Sequence, residues 1–317
     1  MIDLYVLGTG GGMPMPNRFL SASLIIYLGR KILIDSGEGT QVSMKVLGTG
    51  FKAIDIICIT HAHGDHIVGL PGLLATIGNS GRIDPITIIG PKGIREVIEG
   101  INIINPYLPY ELNIIEVTNS KEEVYLKIEK NHSKVVKCEK EANLILSIIS
   151  LDHSAPCIGY SFYYKRLPKF NLEKAIKNNI PKVIWKRLQK GETLEFEGKT
   201  YTPNMVFLEE REGIKLSYVT DTRPIDEIED FIKHSDLFIC EGTYGSDEDI
   251  EKAIKNKHMT FREAANLARG GEVKELLLTH FSPAVLEPKE YLQNAIEVFE
   301  NTSIAEDGMN KVLKYKD

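Results

Sequence analysis

Three histidines and an aspartate lie within the six positions of the segment HAHGDH. They are His61, His63, Asp65 and His66. Neutral imidazole and carboxylate are ligands that suit zinc and similar transition metals, and the absence of cysteine from the segment argues against a closed structural site. In an extended turn His61 and His63 point the same way, and Asp65 and His66 follow at the start of the helical stretch HIVGLPGLLATIGN. The segment therefore predicts a metal centre.

Three more candidate ligands follow apolar runs later in the chain. They are His153 in SLDHS, Asp221 in YVTDT and His280 in LLLTH. Together with the first four they make seven candidates, whereas one tetrahedral ion takes four. Seven ligands therefore predict two metals bridged by a carboxylate.

Apolar runs that end in a polar residue predict the elements that position these groups. Six such runs, rich in Ile and Val, end at Asp35, His61, Asp152 with His153, Asp221, Glu241 and His280. Runs of this length are typical of buried strands, and stretches between them, such as TFREAANLARGG, have helical patterns. Strand ends are where such folds place their chemistry, because the strand fixes the position of the group. The sequence therefore predicts an α/β protein with buried sheets.

Length and composition exclude few classes of protein. The 317 residues are 43% hydrophobic and 26% charged, as in ordinary globular proteins. The first residues lack a basic stretch followed by an apolar one, and no apolar run approaches the roughly 18 residues that span a bilayer. We therefore expect a cytoplasmic protein without a membrane partner. The net charge of −6 argues against a chain that is basic throughout, but it allows a local basic patch.

The H-x-H-x-D-H form of HAHGDH resembles the central motif of the metallo-β-lactamase superfamily. LDHSAP, VTDT and LTHFSP resemble its remaining metal motifs, in the expected order. The resemblance implies an αββα sandwich of two mixed sheets flanked by helices. It also implies two ligand sets, of which one is His61, His63 and His153, and the other is Asp65, His66 and His280. Asp221 would bridge the two metals, and Asp35 would orient the histidines from behind. Two Zn²⁺ per chain are expected, with Mn²⁺ or another divalent ion as the alternative.

Three further stretches resemble the RNase Z family of tRNA 3′-processing endonucleases within that superfamily. They are LGTGGGMPMPNR, CEGTYG and KHMTFREAANLA. This resemblance implies that His258 and Glu241 are catalytic partners, that Arg18 contacts RNA, and that the chain forms a homodimer. It implies hydrolysis of precursor tRNA to give a 3′-hydroxyl on the tRNA and a 5′-phosphate on the trailer, with Asp65 orienting or deprotonating the attacking hydroxide. Independently, Thr260 and Glu263 form a T-x-x-E capping box, which places His258 just ahead of a helix.

The segment from Lys165 to Lys190 is strongly basic. It contains nine Lys or Arg and a single acidic residue, so its net charge is +8 while the rest of the chain carries −14. Such asymmetry is typical of a polyanion-binding arm, and an arm at this point resembles the tRNA-binding arm of the RNase Z family, although the Gly-Pro pair common at its tip is absent. A solvated helix pair is the alternative, but the acidic partners of i,i+4 pairs are almost absent.

We therefore expect one catalytic domain over residues 1–317 with an inserted tRNA-binding arm at 165–190. The basic residues of the arm that we expect to contact RNA are Lys165, Arg166, Lys169, Lys174, Lys177, Lys182, Lys186, Arg187 and Lys190. The only tryptophan, Trp185, would anchor a hinge or offer a stacking platform. The glycines of GTGGG do not satisfy G-x-G-x-x-G, because Met13 takes the last position, and they indicate a tight turn.

Two other functions remain open at the level of sequence. A small-molecule hydrolase of the same fold, such as a phosphodiesterase, lactonase or thioesterase, would use the metals but leave the basic segment without a purpose. A non-catalytic RNA-binding protein would use the basic segment but leave seven metal ligands unexplained.

Overall fold

The computed structural model describes residues 1–316, which form two compact units. The first unit comprises Met1–Tyr163 and Lys215–Lys314, and the second comprises Tyr164–Ile214 with residues 315 and 316. The strands are, in chain order, β1 (Ile2–Gly8), β2 (Ala22–Tyr27), β3 (Arg30–Ile34), β4 (Ile54–Cys58), β5 (Ile86–Pro91), β6 (Leu112–Val117), β7 (Lys121–Ile128), β8 (Ser133–Val136), β9 (Leu144–Leu151), β10 (Cys157–Arg166), β11 (Leu194–Phe196), β12 (Lys199–Tyr201), β13 (Arg211–Val219), β14 (Leu237–Glu241), β15 (Leu276–Thr279), β16 (Thr302–Ile304) and β17 (Asn310–Leu313). The α-helices are α1 (Thr40–Val46), α2 (Gly64–Ile67), α3 (Leu70–Asn79), α4 (Ile94–Ile101), α5 (Leu172–Lys177), α6 (Trp185–Gln189), α7 (Glu227–Ile232), α8 (Ile250–Asn256), α9 (Phe261–Gly270) and α10 (Leu292–Ile296).

Two large mixed sheets account for most of the strands. One sheet has the order β17-β1-β2-β3-β4-β5-β6, and the other has the order β16-β15-β14-β13-β10-β9-β7-β8. Strands β3 to β6 pair in parallel, as do β13 to β16. Because parallel neighbours end at the same edge of a sheet, each sheet gathers several loops at one edge.

Each sheet carries its own layer of helices. Met44 of α1, Leu73 of α3 and Ile98 of α4 pack with strand residues of the first sheet in one buried cluster. Helices α7, α9 and α10 contribute to a second cluster with residues of β14 and β15. The two sheets meet at the buried Tyr160 of β10, whose hydroxyl lies 2.7 Å from the carbonyl oxygen of Ile59, directly after β4, and 2.9 Å from that of Ile89 in β5. The expected αββα sandwich is therefore confirmed.

The helix after HAHGDH is interrupted, which the sequence did not predict. Helix α2 ends at Ile67 and α3 starts at Leu70, because the loop that carries Asp35 passes against Gly69. The amide of Gly69 donates to the carbonyl oxygen of Ser36 at 2.8 Å, and a Cβ on Gly69 would lie 2.2 Å from the carbonyl oxygen of Gly37. The interruption therefore brings Asp35 close to the histidine segment.

The second unit is longer than the predicted arm. Its apolar core contains Ala175, Ile180, Ile184, Leu188, Leu194, Tyr201, Val206 and Phe207, so that residues after 190 supply half of it. The compact unit that contains residues 165–190 therefore extends over 164–214, and the role of 165–190 as a tRNA-binding arm stays a prediction. The physical reason is that α5 and α6 are too short to bury an apolar face alone, and the hairpin β11–β12 and its flanks complete the core.

The longer boundary also changes the charge of the unit. Residues 164–214 contain eleven Lys or Arg and seven Asp or Glu, so their net charge is +4 rather than the +8 of the shorter segment. The added part, 191–214, is itself acidic. The basic residues therefore cluster on the part of the unit that contains the two helices.

Within residues 1–316, no helix combines the length and the apolar character needed to cross a membrane.

Strand β4, which leads to His61, starts at a buried charge cluster. The carboxylate of Asp55, of which 4% of the side chain is exposed, accepts hydrogen bonds from Arg30 Nε at 2.6 Å and from Arg82 Nη1 at 2.9 Å. Arg82 is itself buried and donates to three backbone carbonyls around it. One carboxylate thus pairs with two guanidinium groups, that of the buried Arg82 and that of the half-buried Arg30.

We predict that Asp55→Asn lowers the free energy of unfolding by about 3 kcal/mol, because it leaves the buried guanidinium of Arg82 and the half-buried one of Arg30 without their anionic partner. Urea unfolding followed by circular dichroism measures the change. The control is Lys252→Gln, which removes a solvent-exposed pair with Asp249 and should leave the stability nearly unchanged. A loss for Asp55→Asn that is as small as that of the control contradicts the interpretation.

Candidate metal centre

The predicted site residues converge at the carboxyl ends of strands in both sheets. Asp35 follows β3, and His61 lies in the loop after β4. His153 follows β9, while Asp221 and His280 come after β13 and β15. Since these strand ends meet at one edge of the sandwich, residues far apart in sequence become neighbours.

Two clusters of metal-competent atoms lie side by side. One consists of His61, His63 and His153, and the other of Asp65, His66, Asp221 and His280. Within each cluster the ligand atoms all lie within 4.8 Å of one another. In the first, His63 Nδ1 and His153 Nε2 are 3.2 Å apart, and in the second His66 Nε2 and His280 Nε2 are 3.1 Å apart. The structure thus brings together the two sets that the sequence predicted, and their binding of metal stays a prediction.

Asp221 lies between the two clusters. Its Oδ2 is 3.6 Å from His61 Nε2 and 3.9 Å from His153 Nε2. Its Oδ1 is 3.4 Å from His66 Nε2 and 3.2 Å from His280 Nε2. Each carboxylate oxygen therefore faces one cluster, which is the arrangement that a bridging ligand requires.

The donor atoms fit divalent metal ions. With Zn–N bonds of about 2.0–2.1 Å, two ligands of a tetrahedral zinc lie about 3.4 Å apart, close to the separations measured here. Among the described residues, His61 Nε2 is buried without a hydrogen-bond partner. Burial and the neighbouring histidines lower the pKa of His61 to about 2, so its imidazole is neutral and offers a lone pair. A buried, unpaired acceptor that points into a ring of ligands is best satisfied by a cation.

Four of the five histidines have their second ring nitrogen held by a protein oxygen. His61 Nδ1 lies 3.1 Å from Thr60 Oγ1, and His66 Nδ1 lies 2.8 Å from Asp35 Oδ2. His153 Nδ1 lies 3.1 Å from the carbonyl oxygen of Lys257, and His280 Nδ1 lies 3.1 Å from Thr243 Oγ1. These contacts place the proton on Nδ1 and leave Nε2 free to bind a metal.

Asp35 is the support that the sequence analysis expected behind the histidines. Besides His66 Nδ1, its carboxylate accepts hydrogen bonds at 2.8 Å from both the amide and the hydroxyl of Thr60. Because the Thr60 hydroxyl donates its proton to Asp35, it acts as an acceptor toward His61 Nδ1. One buried carboxylate therefore sets the orientation of a histidine in each cluster.

Three of the site residues have strained backbones. The φ angles of Asp35, Asp221 and His280 are 57°, 54° and 58°, in the left-handed region that non-glycine residues rarely adopt. Each such residue costs on the order of 1–3 kcal/mol. Strain that persists at three strand ends indicates that the surrounding structure holds these side chains in place for function.

The GTGGG segment contributes to the site as well as to a turn. Gly12 has a φ of 79°, as expected for a tight turn, and its amide donates to Asp65 Oδ2 at 2.6 Å. A Cβ on Gly11 would lie 2.4 to 2.8 Å from three atoms of the His280 ring. Sequence reasoning missed this role, because nothing in the spacing of the glycines shows that His280 packs on them.

His258 and Glu241 form the pair that the resemblance implied. His258 Nδ1 lies 3.2 Å from both carboxylate oxygens of the buried Glu241. Burial alone would lower the pKa of His258, but the charge and hydrogen bond of Glu241 outweigh it and raise this pKa to about 9. The predicted capping box of Thr260 and Glu263 is present and starts α9 directly after this loop.

A cavity of about 300 Å³ opens onto these groups. It is lined by residues of both clusters and by His258, and also by Tyr244 and Asn256. The Asn256 side-chain amide donates to the Tyr244 hydroxyl at 2.6 Å, so that the aromatic ring is held at the cavity wall. Tyr244 lies in the CEGTYG stretch, but the sequence analysis gave it no role, and no motif includes Asn256. Only the fold brings these two residues to the cavity.

Arg18 is engaged with the protein itself. Its guanidinium donates to the carbonyl oxygens of Val285 and Leu286, both at 3.0 Å, and lies 5.5 Å from the ring centre of Phe281. These contacts support the loop that follows His280. The contact of Arg18 with RNA stays a prediction, to which the structure adds this supporting role.

Most of the basic residues predicted to bind RNA are exposed on the second unit. Lys165 and Arg166 are half-buried, whereas the exposed ones are Lys169, Lys174, Lys177, Lys182, Lys186, Arg187 and Lys190. Lys174 donates to the carbonyl oxygen of Phe207, and Arg187 pairs with Glu192 at 2.8 Å. The exposed lysines nevertheless give this unit a positively charged surface.

Trp185 anchors the core of the second unit. Its indole nitrogen donates to the carbonyl oxygen of Ile180 at 2.9 Å, and its ring lies 5.4 Å from that of Phe170. The half-buried ring packs against the apolar cluster of this unit, so of the two expected roles the structure supports an anchor.

Curated relatives cover the whole chain. Its sequence is 60% identical over 317 residues to a protein named ribonuclease Z from Clostridium botulinum (strain Eklund 17B / Type B), with 100% of both chains covered. It is also 60% identical over 318 residues to ribonuclease Z from Clostridium perfringens (strain ATCC 13124), again with full coverage. The chain belongs to the ribonuclease Z family. Members of this family are nucleases by name, which agrees with the sequence-based expectation of a hydrolase.

Solved structures of other proteins share the fold of this chain. Human tRNase Z, short form, matches with a TM-score of 0.68 and 26% identity, over 98% of this chain and 99% of that one. The metallo-β-lactamase fold protein YhfI from Bacillus subtilis matches with a TM-score of 0.68 at 18% identity, over 98% and 100% of the two chains, and shows the fold alone. Residues 2–98 also match the family described as Anti-Pycsar protein Apyc1. The predicted metallo-β-lactamase fold is therefore confirmed.

We predict that Gly11→Ala lowers the metal content, because the added methyl group would overlap the His280 ring and displace it from the second cluster. Zinc per chain, measured by elemental analysis after dialysis against a fixed zinc concentration, tests this. Gly100→Ala is the matched control, since a Cβ there meets open space. Equal zinc content in both variants and in the unsubstituted protein would refute the proposed packing constraint.

Proposed function

We propose that this chain is a zinc-dependent endoribonuclease that removes the 3′ trailer from precursor tRNA. The products are a tRNA with a 3′-hydroxyl and a trailer with a 5′-phosphate. The observation that carries the proposal is the meeting of the Asp221 carboxylate and the His258–Glu241 pair at one cavity, in a chain 60% identical to proteins named ribonuclease Z. Human tRNase Z, by its name a tRNA nuclease, has the same fold.

Two Zn²⁺ per chain agree best with the donor set, with Mn²⁺ or another divalent ion as the alternative. His61, His63 and His153 would hold one ion, and Asp65, His66 and His280 the other. Asp221 would bridge them, since each of its oxygens faces a different cluster. A set of imidazole and carboxylate ligands without thiolate suits a catalytic rather than a structural zinc site.

Two divalent ions, held by these residues, would supply the Lewis acidity that makes water a nucleophile near neutral pH. Asp65 orients the attacking water and accepts its proton. Its Oδ2 already accepts from Gly12, and its hydrogen bonds with His280 and His66 outweigh burial and hold the pKa of this carboxyl well below its usual range. The group is therefore ionised and available as an acceptor at neutral pH.

His258 protonates the leaving group. With a pKa of about 9 its imidazole carries a proton on both nitrogens at neutral pH. Nδ1 donates to Glu241, so Nε2 is the nitrogen left to face the substrate. As water adds to phosphorus, the bond from phosphorus to the 3′ oxygen breaks, and the Nε2 proton passes to that oxygen. Glu241 keeps the ring in this orientation, as the third member of a triad does.

The second unit, residues 164–214, would act as the tRNA-binding arm of one catalytic chain. Its exposed lysines are the feature that supports this role, because phosphate contacts dominate the affinity of proteins for nucleic acids. Homodimeric assembly, which the resemblance implied, is part of the proposal and is tested by the mass of the protein in solution.

The proposed function predicts that zinc-loaded protein cuts a precursor tRNA with a 3′ trailer, leaving a 3′-hydroxyl and a 5′-phosphate. Mapping both product ends checks the reaction, and a thioester, a lactone and an aryl phosphodiester serve as comparison substrates. A chelator should abolish cleavage, and added zinc should restore it. An intact precursor together with rapid hydrolysis of the lactone or the thioester would overturn the proposal.

The same assay separates the residue roles. His258→Ala should keep its zinc and slow cleavage by roughly 10²- to 10⁴-fold, the usual range for general acid–base catalysis. Asp221→Ala should lose zinc and all hydrolysis, because both clusters lose a ligand. Full zinc content with normal turnover in Asp221→Ala would contradict the bridging role.

The arm predicts a salt effect that depends on its exposed lysines. Replacing Lys169, Lys177, Lys186 and Lys190 with Gln leaves the apolar core of the unit intact, whereas deleting 168–189 would remove half of it. Each phosphate contact contributes about −0.7 to −0.9 to the slope of log affinity against log salt, so losing four contacts should flatten the slope by about 3. Binding of precursor tRNA at several salt concentrations measures the slope.

The control for this prediction is the replacement of four exposed lysines on the first unit, Lys130, Lys134, Lys137 and Lys140, by Gln. This variant should bind tRNA with nearly the original salt slope. Hydrolysis of the aryl phosphodiester should be unchanged in both variants. Equal slopes for the two variants would mean that the second unit is a solvated surface.

A further inference from the structure

Arg223 joins three loops that carry site residues. It lies two positions after Asp221, and its backbone amide donates to the carbonyl oxygen of Asp152, next to His153, at 3.1 Å. Its guanidinium donates to the backbone carbonyl oxygen of His258 and to both carboxylate oxygens of Glu263, one of them at 3.0 Å. One side chain therefore ties the Asp221 loop to the loop of His258 and to the capping box of α9.

The loop that Arg223 holds is strained at its centre. Lys257 has a left-handed φ of 57°, directly before His258. Its carbonyl oxygen accepts from His153 Nδ1 at 3.1 Å, and its ammonium donates to Asp152 Oδ1 at 2.7 Å. A residue in this conformation costs on the order of 1–3 kcal/mol, so the turn persists only while its neighbours hold it.

The guanidinium suits this position better than a flexible cation would. Glu263 already accepts the Thr260 amide as part of the capping box, and its carboxylate also receives two parallel hydrogen bonds from Arg223. Such a two-pronged contact fixes direction as well as distance. Only 18% of the Arg223 side chain is exposed, and both of its terminal nitrogens donate to His258 or Glu263. Arg223 is therefore held against the protein and does not point toward a nucleic acid.

We propose that Arg223 is a positioning residue for cleavage: it fixes the backbone of His258 relative to the metal centre and so places the imidazole for proton transfer. The proposal rests on the role of His258 in the proposed function. A displacement of about 1 Å in a reacting group can slow a reaction by about 10²-fold, and Arg223 is the contact that prevents it.

The test compares Arg223→Met and Arg223→Lys with Arg262→Met. Arg262 is a matched control, since it lies in the first turn of α9 and also contacts two carboxylates, those of Asp247 and Glu297. Single-turnover cleavage of precursor tRNA should slow by about 10- to 100-fold in Arg223→Met. The enzyme concentration that gives half of the maximal rate should stay within about twofold of that of the unsubstituted protein. Zinc content should be unchanged in all three variants. Arg223→Lys should recover part of the rate, and Arg262→Met should cleave normally.

A double-mutant cycle with His258→Ala separates positioning from a general structural role. If Arg223 acts through His258, then Arg223→Met should slow the His258→Ala protein less than about threefold, because the two residues act as a unit. A multiplicative loss would overturn the proposal, as would a loss of zinc. A raised half-saturation concentration with an unchanged maximal rate would overturn it too, and would indicate a contact with RNA.

The proposed function can fail separately from this inference. Unsubstituted protein that leaves precursor tRNA intact contradicts the proposed function. The cycle is then measured with the aryl phosphodiester, where parallel and non-multiplicative losses in Arg223→Met and His258→Ala still support positioning. Independent losses on that substrate contradict it.

Discussion

The carboxylate of Asp221 is the group on which the rest of the centre depends. It is buried, and imidazoles from both clusters lie within 4 Å of its two oxygens. Burial would raise its pKa, but interaction with His280 and with His66, which also hydrogen-bonds to it, outweighs burial and holds the pKa well below its usual range. One anion thus stabilises a group of bases that would not otherwise share so small a space. Because one carboxylate oxygen of Asp221 faces each cluster, strand β13, which precedes Asp221, must end between the two clusters.

That requirement explains why the surroundings are strained and closely packed. Asp221, Asp35 and His280 adopt left-handed backbone angles at the ends of strands whose pairing leaves little freedom. Gly11 and Gly69 let backbone or ring atoms approach where any side chain would collide. Strain of this kind is stable only when the apolar clusters under both sheets supply the opposing free energy. The helices on the outer faces therefore contribute to the site indirectly, because their packing stabilises a fold whose strand ends carry strained backbone angles.

The sequence predicted those parts of the site that local patterns encode. Apolar runs that end in His or Asp indicated the strand ends, and the resemblance to the metallo-β-lactamase superfamily implied the sandwich and both ligand sets. The capping box located the helix after His258. Other features depend on contacts between distant segments: Gly11 against His280, Arg223 against Glu263, and the interruption before α3 where Gly69 meets the Asp35 loop. The predicted arm ends at Lys190 because its basic charge pattern stops there, whereas the apolar core of the second unit continues to Phe207.

The candidate metal centre and the basic surface lie in different units of the chain. The candidate metal ligands lie at strand ends that are fixed by two sheets. A protein of 18% sequence identity keeps that fold, so the fold alone does not set the substrate. The second unit has its own small core and carries its positive charge on exposed lysines, which can change without disturbing the strands. Phosphate contacts of that kind give affinity but little sequence discrimination. In the proposed function, the choice of the scissile bond would then depend on the shape of the bound RNA and on the position of His258. Residues such as Arg223, which hold the backbone of His258, would contribute to accuracy as well as to rate.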